Sequence, residues 1–422
     1  MSKTNPGRHG RLSGASLMAA TCAAHVLSML GFASFPALLP GFIAEWQLSN
    51  TEAGWINGIY FGAYMAAVPV LVSLTDRVDP RRIYALGAIL TALAAFAFAL
   101  MADGFWGGVV VRALAGIGLA GTYMTGLKAL TDHVDERLRA RAVAFYTATF
   151  SIGSALSFLL AGLLAEALGW RWAVGLVGFG PLAAMAVVLL AMPPSEPHHI
   201  AHTGSALLDF RPVVRNRRAF AYILAYTAHN WELFALRSWL VAFLVFAQAQ
   251  HGAGTLGVAW SASALAAFVT VLGLPASVLG NEAAERIGRR RLVVLVMSAS
   301  AVIACLLGFL APLPFVLLFG VVVLYGLTVT GDSASLTAGA VANAAPGQRG
   351  ATMAAHSFVG FSGAFVGPLA FGVVLDLAGG SESLLAWGLA FASSGLAVAM
   401  GPLALLTLGR RGPAAPQPGA PS

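Results

Sequence analysis

Long apolar stretches separated by short polar breaks run through the whole chain. A helix that crosses a bilayer needs roughly 20 predominantly apolar residues, and only helices or closed barrels satisfy backbone N–H and C=O groups in lipid. The pattern predicts twelve such helices. The first six are expected at 16–42, 53–75, 82–102, 106–128, 142–165 and 171–192. The second six are expected at 219–247, 256–280, 292–311, 314–338, 351–375 and 384–408. A thin break, Ala311-Pro312-Leu313-Pro314, divides the ninth from the tenth. The one long polar stretch, 193–218, splits the chain six and six. The expected fold is therefore an all-α integral membrane protein. It has an N-terminal bundle over 1–192, a central loop over 193–218, a C-terminal bundle over 219–409 and a disordered tail over 410–422.

Composition agrees. Hydrophobic residues make up 58% and charged residues 10% of the chain, against roughly 25% charged in a soluble domain. The first apolar run follows Lys3, Arg8 and Arg11, as in a signal peptide, but it outlasts a signal core and is read as an uncleaved first span. Cys22 and Cys305 both lie within apolar runs and are read as packing residues.

Charge placement sets the topology. Of 24 Lys and Arg, 21 fall on the tails and on one alternate set of loops; only Arg171 falls on the other set, and Arg112 and Arg237 lie within spans. Basic loops stay in the cytoplasm, so both termini and loop 193–218 are expected there, in a bacterial inner membrane. The net charge of +7 is then explained by anionic headgroups, with no nucleic-acid partner required.

The two halves look like a tandem repeat. A shift of 210 places Gly116 on Gly326, Arg139 on Arg349, Gly162 on Gly372 and Glu166 on Asp376. A shift of 209 places Asp76-Arg77 on Glu285-Arg286, and a shift of 204 places His25 on His229. The loop after the eighth span reads Glu285-Arg286-Ile287-Gly288-Arg289-Arg290. The loop after the second reads Asp76-Arg77-Val78-Asp79-Pro80-Arg81-Arg82, with Val72 four residues ahead of the acid. In both, this resembles the major facilitator superfamily signature Gly-x-x-x-Asp-Arg-x-Gly-Arg-Arg. The first copy departs from it at Val72 and at Asp79-Pro80; the second has Glu285 for the Asp, and its leading glycine is displaced to Gly280, with Asn281 in the expected place. Arg112 followed by Gly116, Gly118 and Gly121 resembles the family's second signature, while the Gly-Pro signature of its proton antiporters is missing from the fifth span. The resemblance implies two six-helix bundles, a cavity lined by spans 1, 4, 7 and 10, and a gate at Asp76, Arg77, Arg81, Glu285, Arg286, Arg289 and Arg290.

Charges within a span are costly and mark function by default. They are few: Arg112, Glu232, Arg237 and Asp332, with His25, His229 and His356, and Lys128 near the end of the fourth span. All but His356 fall on the spans that the resemblance assigns to the cavity. Arg112, Gly116 and Tyr123 share one stripe of the fourth span. Each group also has a structural reading: His25 and His229 as hydrogen-bonded interior rings, Glu232 and Arg237 as an ion pair, Asp332 as a cap near Gly331, Trp231 and Trp239 as packing. Glu232 and Arg237 are five residues apart, about 140° around a helix, so they are expected to meet different partners; Glu232 shares a face with His229. The substrate-binding and coupling candidates are His25, Arg112, Tyr123, His229, Glu232, Arg237 and Asp332.

The expected function is secondary active transport by alternating access. The substrate is a small organic solute, anionic in view of the cavity arginines, with a proton as coupling ion. The alternative is proton-driven efflux of hydrophobic compounds or drugs. No His-Glu-x-x-His, Gly-x-Ser-x-Gly, Gly-x-x-x-x-Gly-Lys-Ser/Thr or cysteine cluster occurs, so neither an enzyme nor ATP coupling has sequence support. No metal or cofactor is expected, and the protein is expected to be a monomer. His198, His199 and His202 have no metal-ligand context.

Overall fold

The computed structural model describes residues 14–194, 210–250 and 260–409, and within them all regular secondary structure is helical. Eleven helices are long and apolar enough to cross a bilayer. They are span 2 (Asn50–Leu74), span 3 (Pro80–Met101), span 4 (Gly104–His133), span 5 (Glu136–Leu168), span 6 (Trp170–Ala191), span 7 (Arg217–Ala249), span 8 (Ala262–Ile287), span 9 (Arg289–Leu310), span 10 (Phe315–Ala342), span 11 (Arg349–Leu377) and span 12 (Leu384–Thr407). Span 1 is the exception. It is built from Gly14–Ser28, Ser34–Ala37 and Leu39–Trp46.

Local chemistry sets the ends. Ser49 and Glu52 form a capping box at the start of span 2, their side chains accepting each other's backbone N–H groups. Asp79 caps span 3 through the Arg81 N–H, with Pro80 at the first helical position, where its missing N–H costs nothing. Span 5 begins at Glu136, ahead of the expected 142, because its charged first turns are helix formers that an apolar window overlooks. The outer faces carry Leu100, Leu190 and Leu377 at 79%, 88% and 84% exposure, as lipid-facing side chains should. The chain is a multi-pass integral membrane protein.

The expectation of one continuous helix over 16–42 is corrected. The run breaks between Ser28 and Ser34. Pro36 is the physical reason: it has no N–H to return to the Phe32 carbonyl, and its ring crowds that carbonyl. Span 10 also breaks, ending one helix at Gly331 and restarting at Ser333. The cap reading of Asp332 fits the place of this break, yet its carboxylate makes no cap hydrogen bond.

Packing repeats across the halves. Spans 1–5, 1–6, 2–4 and 3–6 pack in the first half as 7–11, 7–12, 8–10 and 9–12 do in the second. The halves meet where span 2 lies along span 11 and span 5 along span 8. Gly54 and Gly58 rest against the carbonyls of Pro368 and Phe365, an approach any Cβ would obstruct. Phe61 stacks obliquely on Phe234 at 4.1 Å and Tyr64 on Phe361 at 4.7 Å. These contacts run inward from the end that bears the starts of spans 2 and 8. The other end, with Asp76, Arg286 and Arg349, is the arginine end. Span 7 is the most enclosed span: 78% of its most apolar window is buried, against 39–44% for the other ten.

Candidate functional site

In the second half, span 7 aims His229 at the break in span 10. His229 Nδ1 lies 2.8 Å from Asp332 Oδ1, with both side chains almost wholly buried. The contact is close but not aligned as a hydrogen bond, so it is an ion pair whenever the ring is protonated. Tyr226, one turn earlier, stacks on His229 at 5.8 Å and on His356 of span 11 at 3.9 Å. His356 Nε2 is 3.2 Å from Thr337 Oγ1. His229 Nε2, His356 Nδ1, Asn230 Nδ2 and Ser335 Oγ are buried here without a hydrogen-bond partner among the described residues. Each such group costs about 1–3 kcal/mol; in the first half His25 Nε2, Ser34 Oγ and Arg112 Nε are likewise buried without a hydrogen-bond partner among the described residues.

Glu232 turns toward span 9. Its Oε1 accepts from Ser300 Oγ at 2.8 Å, and Thr328 Oγ1 donates to the same serine at 3.3 Å. Glu232 is 1% exposed and has no cationic partner among the described residues. Arg237 points elsewhere, as the 140° separation requires. Its guanidinium lies 5.6 Å from the ring centres of Phe150, across in span 5, and Phe234. Among the described residues it has no ion pair or hydrogen bond. It is a cation at the seam between the halves, its donors unclaimed by those residues.

Arg112 is more fully occupied. Its Nη1 donates to the Phe32 carbonyl at 3.2 Å, the carbonyl released by Pro36, and its guanidinium sits 4.2 Å above the Tyr60 ring. Ser157 of span 5 repairs the rest of the break, donating to Leu30 O at 2.6 Å and accepting from Ala33 N at 2.9 Å. His25 is fully buried between Tyr123 at 4.9 Å and Tyr146 at 4.6 Å, with Nδ1 2.7 Å from Thr149 Oγ1. Tyr146 in turn donates to the carbonyls of Thr122 and Tyr123.

The structure thus gathers His229 and Asp332, adds His356, and leaves Arg112 and Arg237 in different environments. Ser157, Ser300 and Thr149 were not singled out from the sequence, because a hydroxyl in an apolar run carries no signal until its partner is known. Trp239 is packing: its Nε1 donates to Pro368 O. At the arginine end, Asp76 is 3.9 Å from Lys128, which also pairs with Asp132 at 2.8 Å. Arg81 binds Asp79 and the Met192 carbonyl. Arg77, Glu285 and Arg286 are exposed, and Arg289 and Arg290 have buried Nε atoms without partners. The tail arginines, His198, His199, His202 and most of loop 193–218 lie outside the described residues.

The sequence pattern of the Major Facilitator Superfamily matches residues 21–368. Protein spinster homolog 3 of Danio rerio is 26% identical over 215 residues, 49% of this chain and 43% of that protein. The sphingosine-1-phosphate transporter SPNS2 of Mus musculus is 24% identical over 233 residues, 53% and 42% of the two chains. A putative metabolite transport protein of Haemophilus influenzae is 26% identical over 269 residues, 59% of each. The matches thus span about half the length of these curated relatives. Among solved structures, a bacterial homologue of the human lysosomal transporter Spinster, inward-facing and unoccupied, superposes with a TM-score of 0.71 at 16% identity, covering 94% of this chain and 95% of that one. The nucleoside transporter NupG superposes with a TM-score of 0.71 at 14% identity, covering 94% and 100%. At these identities the superpositions speak for the fold.

Proposed function

The chain belongs to the major facilitator superfamily, and we propose that it is a proton-coupled secondary transporter of a small organic anion. The carrying observation is the separation of two kinds of buried charge. Arg237 offers an unpaired guanidinium among aromatic rings where the halves meet, suited to an anionic group on an apolar body. Glu232 and the His229–Asp332 pair lie inside the second half, away from that seam, suited to taking and releasing a proton as their surroundings change. SPNS2 is named for sphingosine-1-phosphate, which carries a phosphate on an apolar chain, and NupG for nucleosides. The arginine end faces the cytoplasm of a bacterial inner membrane, and Asp76, Arg77, Arg81, Glu285, Arg286, Arg289 and Arg290 form the gate there when the transporter turns outward. The protein works as a monomer.

Uptake and counterflow in proteoliposomes test this, once a thermal-shift screen has supplied a ligand. Glu232→Gln is expected to lose accumulation driven by a pH gradient while keeping exchange. Undiminished accumulation would move the coupling role to Asp332, with His229 beside it. The aromatic seam of Phe61, Phe150, Phe234 and Phe361 also favours a second reading, proton-driven efflux of an apolar compound. Reversing the gradient distinguishes the directions. Labelling Ser205→Cys with an impermeant reagent from outside intact cells would contradict the orientation.

A further inference from the structure

At the end opposite the arginine loops, span 11 closes on the start of span 2. Asp376 Oδ1 accepts from Asn50 N at 3.0 Å and Asn50 Nδ2 at 2.8 Å, and Oδ2 accepts from Thr51 N at 2.7 Å. Asn50 and Thr51 are the first two residues of span 2, whose amides have no partner within their own helix. A carboxylate there also meets the positive end of the helix dipole. Gly372, one turn back, brings span 11 against the Asn50 carbonyl. The donors belong to one half and the acceptor to the other.

The repeat supplies an internal control. A shift of 210 carries Gly162 onto Gly372 and Glu166 onto Asp376. Gly162 makes the corresponding approach, against Ser263 at the start of span 8. Glu166 does not follow. It is exposed and has no hydrogen-bond or ion-pair partner among the described residues. Span 8 is capped instead by its own Ser261, which accepts from Ala264 N at 3.3 Å. Both seams close at this end, and among the described residues only one carries a charged cross-link.

We propose that Asp376 is the latch of this end: it holds the halves shut through the free amides of span 2, and its release is the event that opens the far side. The 5–8 seam, which among the described residues closes without a charged bond, gives way with it. The proposal rests on alternating access.

The test is a distance measured between spin labels at Trp106→Cys and Val316→Cys. These positions are 74% and 67% exposed, at the latch-end starts of spans 4 and 10, in a background where Cys22 and Cys305 are alanine. Asp376→Asn is nearly isosteric and removes the charge. It should raise the population of the longer, open distance about tenfold, the order expected for a lost charge-assisted hydrogen bond. Asp376→Ala should open it further, and Glu166→Gln should leave the distribution as in the parent. If Asp376→Ala does not fold, Asp376→Asn decides, with folding checked by its melting temperature. A folded Asp376→Asn protein with the parent's distribution overturns the latch. A parent whose distance fails to move under any imposed gradient or ligand would instead overturn alternating access.

Discussion

Among the described residues span 1 and, at Gly178, span 6 are interrupted in the first half and span 10 in the second; the two breaks beside buried charge, in spans 1 and 10, do not correspond. In the first half that break is in span 1, where Pro36 frees the Phe32 carbonyl; Arg112 and Ser157 close the wound with backbone-directed bonds. In the second half the matching span 7 runs unbroken, and the break is in span 10 at Asp332, which faces His229. The surroundings of the paired histidines differ in the same sense. The repeat sets His25 on His229 and, at the shift of 210 that aligns spans 4 and 5 with 10 and 11, Tyr146 on His356, while Tyr123 falls on Ser333, next to Asp332. His25 therefore lies between two tyrosines, while its counterpart lies beside a carboxylate and near a second imidazole. One scaffold surrounds its histidine with tyrosines in one half and with a carboxylate and a second imidazole in the other. The proposed coupling assigns proton exchange to the second half.

The largest expected effect separates the two arginines. Arg237→Ala should weaken substrate binding about 100-fold or more, the range for removing a buried partner of an anion. Arg112→Ala should chiefly lower the melting temperature, because it abandons a buried carbonyl. Equal losses of affinity in both, measured by titration, would erase the distinction between them.

Next come the histidines. His229→Gln should alter the pH dependence of turnover without removing the part that Glu232 supplies, and His25→Gln should leave the profile unchanged with a modest loss of rate. Both are read from counterflow and accumulation across a pH series. A pH profile flattened by His25→Gln would make the halves equivalent.

The smallest expected effect is at Ser157. Ser157→Ala leaves Ala33 N–H and Leu30 O unpaired and should cost about 1–3 kcal/mol, seen as a lower melting temperature with the substrate affinity unchanged. Ser157→Thr, which keeps the hydroxyl, should recover part of the loss.

Hydrophobic runs alone located eleven spans, and basic residues separated the loops into two sets, because lipid imposes length and charge rules on every span in isolation. The break in span 1 was written in the sequence as Pro36, but an apolar window counts proline as neutral and passes over it. The repeat was visible at His25 and His229. What surrounded those histidines was not, since Tyr123, Tyr146, Asp332 and His356 lie far away along the chain and become neighbours only when spans 4, 5, 10 and 11 pack. The spacing of Glu232 and Arg237 correctly implied different partners without naming them. Nothing in the sequence separated Arg112 from Arg237, because the difference is a single backbone carbonyl in reach of one and not the other.

The division of labour between the halves is tested most directly without any substrate. The spin-label distance between positions 106 and 316 is measured from about pH 5 to pH 8, the range in which an imidazole changes charge. The account expects the parent distribution to shift across this range. The shift should survive in His25→Gln and vanish in the Glu232→Gln, Asp332→Asn double variant. A shift that persists in the double variant or disappears in His25→Gln would contradict the division.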